Sequence, residues 1–583
     1  MKRHIRTLII LAGIGIGASG CGTLGDAGPV LEAPPEVKDT GVVSETSVST
    51  ESPSGNAYYF YTESQIQKRR RNLDEAATLL QYAIDKDPES IFLKRELAKL
   101  HLHKKDNTGV LTVVERILNR EPEDVEALII YGQIMLTQKN LQAAKAAYEK
   151  IISIDPNRER IYLVLGGIYR EEKDLERALN IYRQLVEHYP RSYTGHYYIG
   201  KILFAQGMVK DAERELKRTI ELAPDLEEPR FELIRIYESQ GRQKEITRLY
   251  REILENDPDN IRAGMALAVL QYRDGRTDEA AAILGDIGTR SLSDRRVLSA
   301  IVKGYLDPGD YMNAVIVLKG IAMGAPDSAG IHFLSGVAYD GLDRSEEAIA
   351  SFLKVPVGSK FYENSVVHIA FLYQKLNRID DGIDFLQGVI HTTPDNPEFH
   401  LHLGTFYESE EKYARAEDAL QKGIALDPAN PRLHFRIGVV YDKWGRKEDS
   451  IESMKTVIRL DPKHANALNY LGYTYADLGK NLDEAEQLIK EALKYKPDDG
   501  YITDSLGWVY YKKGRYEEAL KYLERAVAIV PDDPIILEHV GDVHLKLSNK
   551  EKALEFYRRS LEIREKDREA VEDKIKGIME EMY

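Results

Sequence analysis

The chain has 583 residues, 43% apolar and 30% charged, with one cysteine and a formal net charge of −15. Taking away the first twenty residues, with Lys2, Arg3 and Arg6 and no acid, leaves −18. That balance excludes a nucleic-acid binder, which needs a basic face to displace counterions, and the lone cysteine excludes a disulfide scaffold.

The chain opens on a basic stretch, "MKRHIR", followed by the apolar run "TLIILAGIGIG" and then "ASGC" ending at Cys21. This is the layout of a secretory signal, with an apolar run too short to span a bilayer. Ala18-Ser19-Gly20-Cys21 resembles a bacterial lipobox, with alanine where leucine is usual. The resemblance implies that residues 1–20 are a lipoprotein signal peptide and that the Cys21 thiol is lipidated. Gly22, where some sorting rules require aspartate for retention, implies the outer membrane. Gly15, Gly17 and Gly20 spell G-x-G-x-x-G, but no strand–helix unit surrounds them, so the dinucleotide reading is rejected. Residues 21–56 carry six acids against one lysine, are rich in Gly, Pro, Ser and Thr, and show no apolar period. They are expected to be a disordered tether with an r.m.s. reach of roughly 33 Å. The basic run Lys68–Arg71 is expected on a solvated helix face.

From Pro88 the prolines keep time. Pro88, Pro122, Pro156, Pro190, Pro224 and Pro258 stand 34 residues apart, and Pro326, Pro394, Pro428 and Pro462 keep the same phase, with Leu292 and Lys360 on the two missing beats. One extra residue near Gly479–Asn481 precedes Pro497 and Pro531. Twelve residues before most of these prolines stands an alanine (Ala144, Ala178, Ala416, Ala519), and twelve before that a glycine (Gly132, Gly166, Gly404; thirteen before in the repeat with the insertion). A tyrosine commonly follows three later, as in Tyr169, Tyr237, Tyr441 and Tyr510. Small residues let two antiparallel helices approach, the aromatic fills the space beside them, and proline ends the second helix.

This pattern resembles the tetratricopeptide repeat (TPR). The resemblance runs over 57–565 and implies an all-α, right-handed superhelical solenoid of about fifteen helix–turn–helix units, with 566–583 as a capping helix. The cap's apolar face would be Val571, Ile575, Ile578 and Met582. Repeats across 261–362 depart most from the pattern, where a bend is expected but no domain boundary.

In such units positions 4, 7, 8 and 11 of the first helix pack, and positions 2, 5, 9 and 12 face the groove that binds protein segments. Position 5 runs Ile129, Leu163, Tyr197, Phe231, Met265, Ser299, Phe333, Val367, Leu401 and Phe435, an apolar stripe broken at Ser299 that reads as packing on the next repeat or as a binding surface. At the C-terminal end the groove turns polar and aromatic, and Asn469, Tyr473, Asp504, Trp508, His539 and Asp542 are the candidate partner-binding residues. Trp508, at position 9, is expected to be exposed there. His196, His332, His400 and His434 occupy packing position 4, while His368, His402 and Arg436 share position 6 of adjacent units and are expected to form a polar ladder. A carboxylate clamp at Arg95 and Lys99 is rejected because Ile130 stands where asparagine is needed.

No H-E-x-x-H, G-x-S-x-G or P-loop occurs, so no catalytic residue, metal or cofactor is expected. "NYLGYTYADLG", "DSLGWVYYKKGRYEEAL" and "EHVGDVHLK" resemble proteobacterial TPR lipoproteins that recruit a carboxyl-terminal processing protease. The resemblance implies a non-enzymatic, lipid-anchored adaptor facing the periplasm. Its groove would take envelope proteins, such as a protease or a peptidoglycan-remodelling enzyme. The alternative is a pilotin-like assembly factor for a secretion, pilus or polysaccharide-export complex.

Overall fold

The computed structural model describes residues 56–290 and 295–582, and all its described regular structure is helical. Residues 1–55, which hold the expected signal segment, Cys21 and most of the expected tether, lie outside the described residues, as do Leu292 and Tyr583. Asn56 caps the first helix, its side-chain oxygen accepting the Tyr58 N–H at 3.0 Å. Fifteen helical hairpins follow, from 57–86 to 534–563, and the helix Arg568–Met582 closes the chain.

Each hairpin is closed by one residue in the left-handed conformation at the same place in the period, as at Lys105, Lys139, Lys173 and Asn377. The following N–H reaches back five residues and satisfies a carbonyl at the helix end, as from Asn140 to Met135 at 2.8 Å. In the hairpin with the extra residue, two positive-φ residues, Gly479 and Asn481, absorb it. Lys68 and Arg69 stand in the last turn of the first helix and Arg70 and Arg71 in the turn that follows. The basic run is therefore a helix C-terminus, where cations complement the dipole, rather than a helix face.

The glycines twelve residues ahead of the alanines do what their spacing predicts. A Cβ on Gly132 would lie 2.7 Å from the Tyr148 ring, and one on Gly166 2.6 Å from Tyr182. The tyrosine three residues on does more than fill space. Tyr237 donates to Glu213 at 2.9 Å, Tyr441 to Glu417 at 2.8 Å and Tyr510 to Glu486 at 3.1 Å, each tying its hairpin to the second helix of the one before. The position-4 histidines are structural for a reason absent from the repeat pattern. Nε2 of His332, His400 and His434 donates to the carbonyl of Pro326, Pro394 and Pro428, six residues back, at 2.6, 3.1 and 2.9 Å. Arg230 and Lys94 make the same clasp on Pro224 and Pro88.

The chain divides into two compact units, one ending at Ala280 and one beginning at Ala281. The division falls within the helix Thr277–Arg290 of the seventh hairpin, inside the stretch of weakest consensus. The irregularity continues past it: the first helix of the eighth hairpin, Arg295–Ile301, runs into a π-helical turn, Val302–Leu306, and the ninth hairpin has a short second helix, Ser345–Phe352. Within each unit the first helices of successive hairpins pack on one another, whereas second helices lie mainly against first helices. The first helices therefore line the inner face. Position 5 of that face is buried at Phe231, Met265, Phe333 and Leu401, and Phe333 stacks on Phe361 of the next hairpin at 5.3 Å. The stripe is packing at those positions, while Ile129, Leu163, Tyr197, Val367 and Phe435 stay half-buried.

Candidate functional site

The six candidate residues sit on three consecutive first helices, Ala465–Asp477, Gly500–Lys512 and Pro534–Lys546. Helical spacing puts Asn469 and Tyr473 on one face of the first, Asp504 and Trp508 on one face of the second, and His539 and Asp542 on the third.

Asp504, Trp508 and His539 form one cluster. His539 Nδ1 lies 2.9 and 3.1 Å from the two Asp504 carboxylate oxygens. The Trp508 indole is sandwiched between the His539 ring at 4.0 Å and the Tyr511 ring at 4.7 Å, both nearly parallel to it. Trp508 is only 9% exposed and belongs to the hydrophobic core of the C-terminal hairpins. The expectation of an exposed tryptophan is thereby corrected. It points to the inner face, but His539 from the next hairpin and Tyr511 one turn on cover it.

Asp542 is also engaged within the fold. It accepts from the Tyr557 hydroxyl at 2.6 Å and from Lys574 of the closing helix at 2.6 and 2.9 Å. Lys574 in addition donates to Glu538 at 2.7 Å. The closing helix buries Val571 and Ile578 and half-buries Ile575, while Met582 stays exposed. The cap thus rests on a lysine as well as on its apolar face, and Asp542 is a docking point for it.

Asn469 and Tyr473 remain half-buried. Burial and the nearby Asp504 carboxylate push the Tyr473 hydroxyl well above its usual pKa, so it is a neutral donor at physiological pH. Two polar atoms of the face, Asn469 Oδ1 and Trp508 Nε1, are buried without a partner in the protein. Elsewhere the sequence expectations divide. Arg95 pairs with Asp124 and Lys99 with Glu96, so neither is free to clamp a carboxylate. His368 packs flat on Phe352 at 4.9 Å, whereas His402 and Arg436 line a separate pocket, so the three-residue ladder does not form as one row. Among the described residues no group of His, Cys, Asp and Glu could hold a metal, and no helix is long and apolar enough to cross a membrane.

Burial opposes the charge on His539, but the Asp504 carboxylate outweighs it and raises the imidazole pKa above its ordinary 6.5. A raised folded pKa gives stability that is fully present below pH 6.5 and is lost as pH rises through the folded value. Thermal melts from about pH 6 to about pH 9 are expected to show the C-terminal hairpins weakening, and Asp504→Asn to flatten that slope. Parallel profiles for the two proteins would rule the coupling out.

Fifteen stacked hairpins with a lined inner face define a protein-interaction scaffold. Tetratricopeptide-repeat models match residues 135–234 and, in overlapping segments, 370–566, just over half of the sequence. The chain belongs to the tetratricopeptide-repeat family. None of the curated proteins matches it. Similar solved structures include the APC/C hetero-tetramer Cut9-Hcn1, at 15% identity over 79% of this chain and 90% of that one with a TM-score of 0.35. Yeast Tom70 aligns at 14% identity over 79% and 96% with a TM-score of 0.32. A thermophilic TPR protein of Thermus thermophilus aligns at 21% identity over 31% and 98% with a TM-score of 0.28.

Proposed function

We propose that the chain is a non-enzymatic adaptor of the bacterial envelope, held to the outer membrane by a lipid on Cys21. The inner face of its last three complete hairpins binds an extended segment of another envelope protein. One observation carries the binding reading: Asn469 and Tyr473 stand half-buried on one face of the same first helix, and Asn469 Oδ1 is an acceptor without a partner. Folding alone gains nothing from a buried polar atom left unpaired, whereas the main chain of a bound segment offers both an N–H and a carbonyl. Tyr473, half-buried one turn on from Asn469 and kept neutral, supplies a donor on the same face. The anchor rests on the lipobox-like "ASGC" and on its cysteine being the chain's only one.

A photo-crosslinking residue in place of Tyr473 is expected to capture a discrete partner in living cells. The same residue in place of exposed Lys521, on the second helix of the neighbouring hairpin, should capture none. Equal capture at both positions, or none at Tyr473, would defeat the reading. The anchor is tested separately: Cys21→Ser should abolish fatty-acid labelling and leave the precursor uncleaved, and a labelled serine variant would refute lipidation.

A further inference from the structure

A second feature of the inner face lies two hairpins before the cluster. A pocket of about 230 Å³ opens between the first helices Pro397–Ser409 and Pro431–Lys443 and the start of Ala465–Asp477. Leu401 and Phe435 supply its apolar wall, and His402, Arg432, Arg436 and Asn466 its polar one. No acidic side chain lines it.

Every polar group named there is available as a donor. The Asn466 carbonyl oxygen already accepts from Lys496 at 2.8 Å, which leaves its N–H₂ facing outward from that bond. His402 Nε2 is buried with no partner. Burial, then the charges of Arg432 and Arg436, push the His402 pKa down to about 4, so the ring stays neutral and contributes an N–H without adding a charge. The two guanidinium groups are held in place from outside the pocket, Arg432 by Glu398 at 2.7 Å and Arg436 by Glu408 at 3.0 Å. Glu408 is shared with Lys443 at 3.0 Å, so three cations face two carboxylates here. A site with cationic donors, an unpartnered imidazole and no acceptor carboxylate suits an anion. Its volume is below the ~300–1,000 Å³ of pockets that enclose a free small molecule. It fits one side chain of a chain passing over it, and further first helices continue the inner face on both sides.

We propose that this pocket receives an aspartate or glutamate side chain from the segment bound along the inner face, an inference that rests on the adaptor reading. The carboxylate accepts from the arginines and His402, and its methylenes lie on Phe435 and Leu401.

The test uses a random dodecapeptide library fused to phage through its C-terminus, so that only side-chain carboxylates are offered, selected on the full chain. Retained peptides are expected to share an acidic position. A synthetic copy should lose at least about tenfold in affinity when that residue becomes its amide, and the same on Arg432→Gln/Arg436→Gln protein. Lys443 still pairs Glu408 in that variant, so its melt should stay near wild type. Should the double variant unfold, Arg432→Gln alone, which removes one ion pair, must still weaken the acidic peptide. Retained peptides without acidic enrichment, or unchanged affinity in the arginine variants, overturn the pocket assignment while leaving groove binding intact. No retained peptide at all counts against both.

Discussion

Gly324→Ala is expected to destabilise the second unit by about 3 kcal/mol, the upper end of the range for overpacking. A Cβ on Gly324 would lie 1.9 Å from the Gly285 carbonyl oxygen and 2.6 Å from the Thr289 nitrogen. Its counterpart, Gly288, would bring a Cβ within 2.1 Å of the Ile321 oxygen. The second helices of the seventh and eighth hairpins therefore meet backbone to backbone, and no side-chain rotation relieves the clash. At Gly507 the nearest obstacle is the Leu523 side chain at 2.6 Å, which can turn aside, so alanine there should cost less. Gly388, mid-helix with open space around it, is the control, and alanine there should stabilise by roughly 0.5–1 kcal/mol. Stability in such arrays is local, so hydrogen exchange across 277–324 should be read beside the melt. A Gly324→Ala protein that melts and exchanges like wild type would show that the two helices separate without cost.

Trp508→Ala is expected to cost about 3–5 kcal/mol of local stability, as burial of a large aromatic implies. This reverses the reading of Trp508 as an exposed anchor whose loss the fold tolerates. The indole fills the space between His539 and Tyr511, and alanine would leave a cavity beside the buried His539–Asp504 pair. Trp444 provides the comparison within the same chain: it is 38% exposed and stacks only loosely on Tyr413 at 6.3 Å, so its alanine variant should lose under about 1 kcal/mol. Similar melts for the two variants would return Trp508 to the surface. Because Trp508→Ala damages the face it belongs to, partner loss in that variant would not isolate a contact. Asn469 and Tyr473 are the cleaner probes.

Much of the fold was legible in residues that answer to their own hairpin. Gly132, Gly166 and Gly507 each face a large side chain sixteen residues on, and that spacing is visible in the chain itself. The position-4 clasp was visible only in part. A histidine there reads as core until the proline carbonyl six residues back is seen to need a donor, and Arg230 and Lys94 show that any long donor serves. The close contact of Gly288 with Gly324 carried a faint signal, glycines four apart at Gly320 and Gly324, but nothing named the helix they approach.

By itself the sequence determined the period, the helix ends and the count of hairpins. Each of these depends on residues at fixed short offsets, so the repeat states it over and over. Tertiary structure decided which inner-face groups are spent. Trp508 is covered by His539 from the next hairpin, and Asp542 is taken by Lys574 of the closing helix. Asn469 Oδ1 and His402 Nε2, by contrast, are left without a partner. A side chain's position in the repeat fixes the direction it points. Whether it meets a partner there depends on neighbours thirty or more residues away, whose identity the repeat does not constrain.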